Sequence, residues 1–384
     1  MVRSIRITIL LLCVLSVLAL LHAYIGMHVV ADLGLPHGAS MLAWGGLIMS
    51  CLLIPAGMLT RLFEDHPLAD ALAWLGMSTM GLFSSLLVLT FIRDMALLVA
   101  DWLDYHSVGL LTDTAIAVPL LAVLATLLGM LNARRLAQVV DVEVPLKGLP
   151  AALEGFKIAQ ISDIHVGPTI KRDYLMRIVE RVNTLGADMV AITGDLVDGS
   201  VAELTEHTAP LALLRARHGT FFVTGNHEYY ANAPAWIEEI RRLGLRVLIN
   251  EHVLLDHDGQ KVVVAGVTDY TAHQFDSSHR SDPHAAMAGA PADAGAKLLL
   301  AHQPRSATAA AAAGFDLQLS GHTHGGQFLP WNLFVPLQQP FIAGLHRLQN
   351  LWVYVSRGTG YWGPPKRLGA PSEITCLRLV SAGS

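Results

Sequence analysis

Long uncharged apolar runs fill the first part of the chain; beyond it the runs shorten and polar clusters separate them. Residues 7–25, 41–59, 69–92 and 114–131 each come near the ~20 apolar residues that carry a helix across a bilayer. The first follows Arg3 and Arg6, yet it is longer than the apolar core of a signal peptide and lacks a small-x-small cleavage site. Residues 95–111 are interrupted by Asp101 and Asp104 and read as an interfacial or loop segment. The pattern predicts an all-α transmembrane domain of about four helices over residues 1–135. A buried helical domain of a soluble protein would not carry runs so long and so free of charge.

Four spans place both ends of this domain on one side. Arg3, Arg6, Arg61, Arg134 and Arg135 flank that side, and Arg93 the other. The positive-inside rule then puts the N-terminus and everything after Arg135 in the cytoplasm, and the protein in the inner (plasma) membrane as a multi-pass component. An odd number of spans would reverse the side.

After Arg135 the texture changes. Residues 156–161, 189–193, 221–224, 262–267, 297–301 and 317–319 read as buried strands, and 351–356 and 374–380 as later ones. Amphipathic stretches at 174–185 and 235–243, and the alanine run 307–313, read as helices. Strands alternating with helices predict an α/β domain over 155–384, with 136–154 as a membrane-proximal connector.

Composition agrees with this division: of 384 residues 53% are hydrophobic and only 15% charged, too few charges for a wholly soluble chain. A net charge of −5 gives no electrostatic reason to expect nucleic acid as a partner. Cys13, Cys51 and Cys376 are scattered, so neither a disulfide framework nor a thiolate metal site can be read from them. Histidine, at 18 residues, is abundant and grouped.

The groups carry the chemistry. Five apolar strands run directly into polar clusters: Asp163-Ile-His165, Gly194-Asp195-Leu-Val-Asp198, Gly225-Asn226-His227-Glu228, His302, and Gly321-His322-Thr-His324. Active sites of α/β sheets form at such strand ends. In extended chain, residues two apart project to one side, so Asp163 with His165, and His322 with His324, are expected to reach a common centre. Aspartate, histidine and asparagine without cysteine suit Mn²⁺, Fe or Zn²⁺. Seven such ligands exceed one tetrahedral ion and suffice for two if a carboxylate bridges; a pair of this kind polarises a phosphoryl oxygen and makes hydroxide from water. Each element alone is commonplace, since Gly-Asp and Gly-Asn are ordinary turns and a lone histidine is more often a core residue. Their succession at five strand ends is not.

This ordered series resembles the calcineurin-like metallophosphoesterase superfamily across residues 155–380. Ala301-His302-Gln-Pro, Gly321-His-Thr-His-Gly-Gly-Gln327 and Arg357-Gly-Thr-Gly-Tyr-Trp are similar to its bacterial membrane-associated branch of transmembrane proteins. The resemblance implies a four-layer α-β-β-α sandwich with Asp163, His165 and His324 on one metal, Asn226, His302 and His322 on the second, and Asp195 bridging. It implies that His227 faces the scissile phosphate and that Asp198 and Glu228 orient these groups. The protein-phosphatase branch has arginines where this chain has Gly199, Ser200 and Thr224. Without those guanidinium clamps phosphodiesters or pyrophosphates are expected rather than phosphomonoesters, unless Arg172, Arg280, Arg305 or Arg357 enters the site.

The expected function is a membrane-anchored phosphoesterase with two divalent ions, acting on a lipid-linked or nucleotide substrate. A membrane receptor or scaffold with a vestigial metal site is the alternative, and the complete ligand set counts against it. Beside the ligands lies an uncharged stretch, 328–337, whose two prolines disfavour helix and central strand. Its Trp331 and Phe334 are candidates for a membrane contact or for a lid.

Overall fold

The computed structural model describes residues 2–62 and 68–383. The chain divides into two compact units, Met1–Leu131 with Gly363–Lys366, and Asn132–Trp362 with Arg367–Ser384.

The first unit is built from α1 (Val2–Ile25), α2 (His37–Met58), α3 (Ala69–Trp102) and α4 (Leu110–Arg134). Among the described residues these give four segments long and apolar enough to cross a membrane, with mean hydropathy from 1.8 to 2.3. Ile25, Val29, Ile54, Phe83, Ala115 and Val118 pack in its interior. Helices α2 and α3 approach closely at a glycine pair: a Cβ on Gly76 would lie 2.6 Å from Gly57 Cα. Small residues of this kind let helix backbones meet in lipid. Helix α3 continues to Trp102, so residues 95–102 are not the loop expected from Asp101 and Asp104. The carboxylates lie in the last turn and just beyond it, where a span can leave the apolar zone.

Arg93 sits within α3 and is buried. Its guanidinium donates to Asp32 Oδ2 (2.5 Å), His28 O (2.8 Å), Leu111 O (3.0 Å) and Thr114 Oγ1 (3.0 Å). A cationic side chain in this setting is tolerated because it is paired with a carboxylate and makes four hydrogen bonds. The distant segment Gly363–Lys366 also belongs to this unit; Lys366 Nζ donates to Gly81 O (2.7 Å) and Ser85 Oγ (2.6 Å).

The second unit holds β1 (Gln138–Leu146), β2 (Lys157–Ile161), β3 (Met189–Ile192), β4 (Thr220–Phe222), β5 (Arg246–Val247) and β6 (Glu251–His257). It continues with β7 (Gln260–Gly266), β8 (Ala296–Leu300), β9 (Leu317–Ser320), β10 (Gly344–Leu348), β11 (Leu351–Val355) and β12 (Glu373–Ser381). They form two six-stranded sheets among the described residues, ordered β1-β12-β2-β3-β4-β5 and β10-β11-β9-β8-β7-β6. The β2-β3-β4-β5 and β7-β8-β9-β11 runs are parallel. Residues 136–154, expected to be a connector, instead carry β1, the edge strand parallel to β12.

The inner faces of the two sheets pack through Ile158, Met189, Phe221, Val264, Leu298 and Leu319. Helices α5 (Arg172–Asn183), α6 (Val201–Thr208), α7 (Asn226–Tyr230) and α8 (Ala233–Arg242) follow strands of the first sheet. Of these, α5 and α8 bury Leu175, Ile178, Trp236 and Ile240 against its outer face. Helices α9 (Pro283–Met287) and α10 (Ala307–Ala313) cover the second sheet through Ala286, Ala307 and Ala310. The result is the expected α-β-β-α sandwich. Its parallel strands β2, β3, β4, β8 and β9 end at one common edge, and the polar clusters begin there.

Candidate metal centre

Backbone geometry sets the site before any side chain is considered. Asp163 N donates to Gly194 O, His165 N to Asp195 O and Val166 N to Leu196 O, so the loops after β2 and β3 are zipped together. Glu228 accepts from the backbone N–H groups of Gly225, Asp195, Leu196 and Val197 and ties the loop after β4 to the same pair. Two glycines are obligatory by contact. A Cβ on Gly225 would lie 2.2 Å from Asp195 Oδ1, and one on Gly321 would lie 2.1 Å from Asp163 Oδ2.

Asp163, His165, Asp195, His322 and His324 all have positive φ, between 49° and 71°. The i, i+2 pairs are therefore not extended, contrary to the expectation. They lie past the strand ends, where left-handed turns aim both partners inward. Non-glycine residues adopt this region at a cost of about 1–3 kcal/mol each, and such strain clusters at functional sites.

The side chains converge in groups. Ligand atoms of Asp163, His165 and His324 lie within 4.8 Å of one another, as do those of Asp195, His302 and His322. His165 Nε2 faces His324 Nε2 at 3.1 Å, and His322 Nδ1 faces His302 Nε2 at 3.1 Å. Asp195 Oδ2 stands between the groups, 3.2 Å from His302 Nε2 and 3.9 Å from both His165 Nε2 and His227 Nε2. His227 also falls within reach of Asp195 and His165. Asn226, the seventh expected ligand, is buried, and its Oδ1 has no hydrogen-bond partner among the described residues. A buried amide oxygen left unpaired is costly unless something else takes its lone pairs.

Electrostatics point the same way. Burial, and then the Asp195 charge, push the Asp163 carboxyl above its ordinary range. Burial would also raise Asp195, but the facing His302 and His227 outweigh it and hold that carboxyl well below the usual range. Burial lowers His322 to about 3, and burial with the charges of His165 and Arg367 keeps His324 well below the usual imidazole range. Both are neutral at physiological pH, as metal ligation requires. His302 differs: burial opposes its charge, yet the Asp195 carboxylate raises it well above the ordinary value. Its Nδ1 is anchored on Thr193 O at 2.7 Å, which leaves Nε2 to the centre. The hard and borderline donors, the orphaned Asn226 oxygen and the adjacent carboxylates all fit divalent cations.

Around this centre, Asp198 Oδ1 lies 3.2 Å from His165 Nδ1 and 2.5 Å from His227 Nδ1. Burial pushes Glu228 up to about 7, with Asp195 adding to it against the backbone N–H donors. Arg357 pairs with Glu373, and Arg305 Nε donates to Gln338 O. Sequence reasoning missed Arg367, which is buried with Nη2 3.1 Å from His324 Nδ1 and Nη1 donating to Ala370 O. A lone arginine in a Gly/Pro-rich loop gives no signal of this role.

An α-β-β-α sandwich with two histidine–carboxylate groups at one strand edge defines a metallophosphoesterase domain. Comparison with known proteins agrees, since residues 156–326 match the family model described as calcineurin-like phosphoesterase. A Danio rerio protein named "Transmembrane protein with metallophosphoesterase domain" is 39% identical over 282 residues, covering 71% of this chain and 64% of the relative. A Bos taurus protein of the same name is 42% identical over 279 residues, 69% of this chain and 63% of the relative. An uncharacterized metallophosphoesterase of Aquifex aeolicus is 32% identical over 238 residues, 62% of this chain and 89% of the relative. The chain belongs to the calcineurin-like phosphoesterase family. It spans less than two-thirds of the length of the two vertebrate relatives.

Proposed function

We propose that the protein is a membrane-anchored, two-metal phosphoesterase that cleaves phosphodiester or pyrophosphate bonds. The observation that carries the reading is the position of Asp195 Oδ2 between the two ligand groups, where one carboxylate can serve both. Asp163, His165 and His324 would hold one ion, Asn226, His302 and His322 the other, with Asp195 shared. Mn²⁺, Fe or Zn²⁺ suits the donors, and such a pair when bound polarises the phosphoryl oxygen and activates water at neutral pH.

The remaining work falls to the chain's own residues. His227 is held by Asp198 through Nδ1, so its Nε2 is presented on the Asp195 side. That nitrogen stabilises charge on the phosphate or returns a proton to the leaving oxygen. Asp198 fixes His165 and His227 from one oxygen, so a proposed ligand and the proposed acid share one support. The preference for diesters rests on Gly199, Ser200 and Thr224 standing where arginine clamps would bind a dianionic monoester. Arg305 and Arg357 are engaged with Gln338 O and Glu373. The multi-pass anchor favours substrate at the membrane, and the arginine bias of the flanking sequence favours a cytoplasmic catalytic domain.

Hydrolysis of bis(p-nitrophenyl) phosphate and of p-nitrophenyl phosphate by the purified full-length protein with added Mn²⁺ tests this. Metal-dependent cleavage favouring the diester is expected. Cleavage of the monoester alone would overturn the substrate assignment, and no metal-dependent cleavage would favour a receptor or scaffold.

A further inference from the structure

A crest of exposed apolar side chains stands beside the metal centre. Leu329 is 41% exposed, Trp331 47%, Leu333 63%, Phe334 48% and Leu337 80%. The sequence carries no charged residue from Phe328 through Leu345. Scattered exposed leucines are normal, but a contiguous apolar group of this kind marks an interaction surface.

The base of the crest is fixed while the side chains of its tip are exposed. At one end Gln327 Nε2 donates to Trp362 O (2.9 Å), and Trp362 N donates to Gln327 Oε1 (3.0 Å). Phe328 is buried beside it. At the other end the buried Gln339 donates to Gln303 Oε1 (3.2 Å), and Gln303 is the neighbour of His302. Both ends are therefore fastened next to proposed metal ligands, whereas the side chains between them point to solvent. A lid packed on its own domain would bury those side chains instead. The ring of Trp331 lies 6.3 Å from that of Trp362, which lies 6.1 Å from His227, so the crest joins the catalytic edge through aromatic contacts.

The chain itself indicates the occupant. The residues that follow Trp362, Gly363–Lys366, group with the membrane helices. The catalytic unit is also joined to α4 within a few residues, since that helix ends at Arg134 and β1 begins at Gln138. An aromatic and aliphatic surface on a unit tethered by short segments to apolar helices long enough to cross a bilayer has the chemistry of a membrane interface, where tryptophan and phenylalanine are favoured.

We propose that the crest from Leu329 to Leu337 seats in the bilayer surface and presents the metal centre to phosphodiesters borne on membrane lipids. This rests on the phosphodiesterase reading and narrows it to substrates whose alkyl chains stay in the bilayer. Water adds to phosphorus and the P–O bond to one alcohol breaks. The alcohol leaves with a proton, and a phosphomonoester remains, so one of the two products stays in the membrane.

The test uses the full-length protein with Mn²⁺ in phosphatidylcholine/phosphatidylglycerol nanodiscs. It compares the wild type with the combined Trp331→Ser, Phe334→Ser and Leu337→Ser variant on two substrates. One is soluble bis(p-nitrophenyl) phosphate, the other a diacylglycerol p-nitrophenyl phosphodiester embedded in the disc. The variant is expected to lose about tenfold or more on the embedded lipid and to match the wild type on the soluble diester. Equal loss on both, or loss on neither, overturns the proposal. Quenching of Trp331 fluorescence by brominated lipids, taken as the difference between wild type and Trp331→Phe, reads the seat without catalysis. Absence of quenching overturns the seat. A wild type that is quenched but cleaves neither diester keeps the seat and removes the phosphodiesterase reading.

Discussion

Asp198 Oδ1 lies 2.5 Å from His227 Nδ1, and the same oxygen lies 3.2 Å from His165 Nδ1. Burial alone would raise the Asp198 carboxyl; the two facing imidazoles outweigh it and hold it well below the ordinary range. It therefore remains an ionised acceptor, fixing the tautomer of both rings. His227→Ala should lower kcat by ~10²–10⁴-fold, the usual span for a general acid, while metal content is kept. Asp198→Asn should lower kcat as well and also weaken metal binding, because His165 loses its support. Metal analysis beside steady-state kinetics checks both. A His227→Ala protein purified without metal would make His227 a ligand.

Metal uptake should depend on pH with a definite sign. His302 carries a raised pKa against Asp195 in the metal-free site, so it holds a proton at neutral pH that a metal must displace. Affinity should rise with pH, by about tenfold per unit for one displaced proton, until the raised pKa is passed. Titration of the chelated protein with Mn²⁺ at several pH values measures this. An affinity that is flat, or that falls with rising pH, would contradict it.

The glycine pair between α2 and α3 leaves no space for a side chain. A Cβ on Gly76 would meet Leu53 O at 2.6 Å as well as Gly57 Cα. Gly76→Val should force the helices apart, at a cost of about 1–3 kcal/mol for overpacking, and lower the melting temperature in detergent. Gly45→Val, where a Cβ would meet open space, serves as the control.

Arg93 is the one cation of the sequence argument that opposed a cytoplasmic catalytic domain. It stands alone against Arg3, Arg6, Arg61, Arg134 and Arg135, so the arginine bias still favours the cytoplasmic side. Reporter fusions after Arg135 should read as cytoplasmic, and fusions within residues 33–40 as external. An external readout after Arg135 with 33–40 also external would mean that the number of spans crossing the bilayer is odd, and reversal of both readouts would overturn the arginine-based orientation.

Much of this was legible in the sequence because burial dictates composition. Strands β2, β3, β7, β8 and β9 lie between other layers and read as continuous apolar runs. Strand β1 alternates Asp141 and Glu143 with valines at an exposed edge, and β6 mixes glutamate, histidine and aspartate with its apolar residues, so neither stood out. The seven candidate ligands could be read because each follows a strand end, and the structure draws six of them, Asp163, His165, Asp195, His302, His322 and His324, into groups at one edge. Their left-handed backbone could not be foreseen, since it arises from hydrogen bonds between loops distant in sequence, such as Asp163 N to Gly194 O. Arg367 was hidden for the same reason.

The most direct test of the central claim is the turnover of Asp195→Asn on bis(p-nitrophenyl) phosphate in saturating Mn²⁺. In the proposed centre Asp195 Oδ2 is shared by the two ligand groups, and an amide there would accept more weakly and carry no charge. The account predicts that turnover is abolished while the sandwich still folds. Wild-type turnover from Asp195→Asn would contradict a shared, bridging carboxylate and with it the two-metal centre.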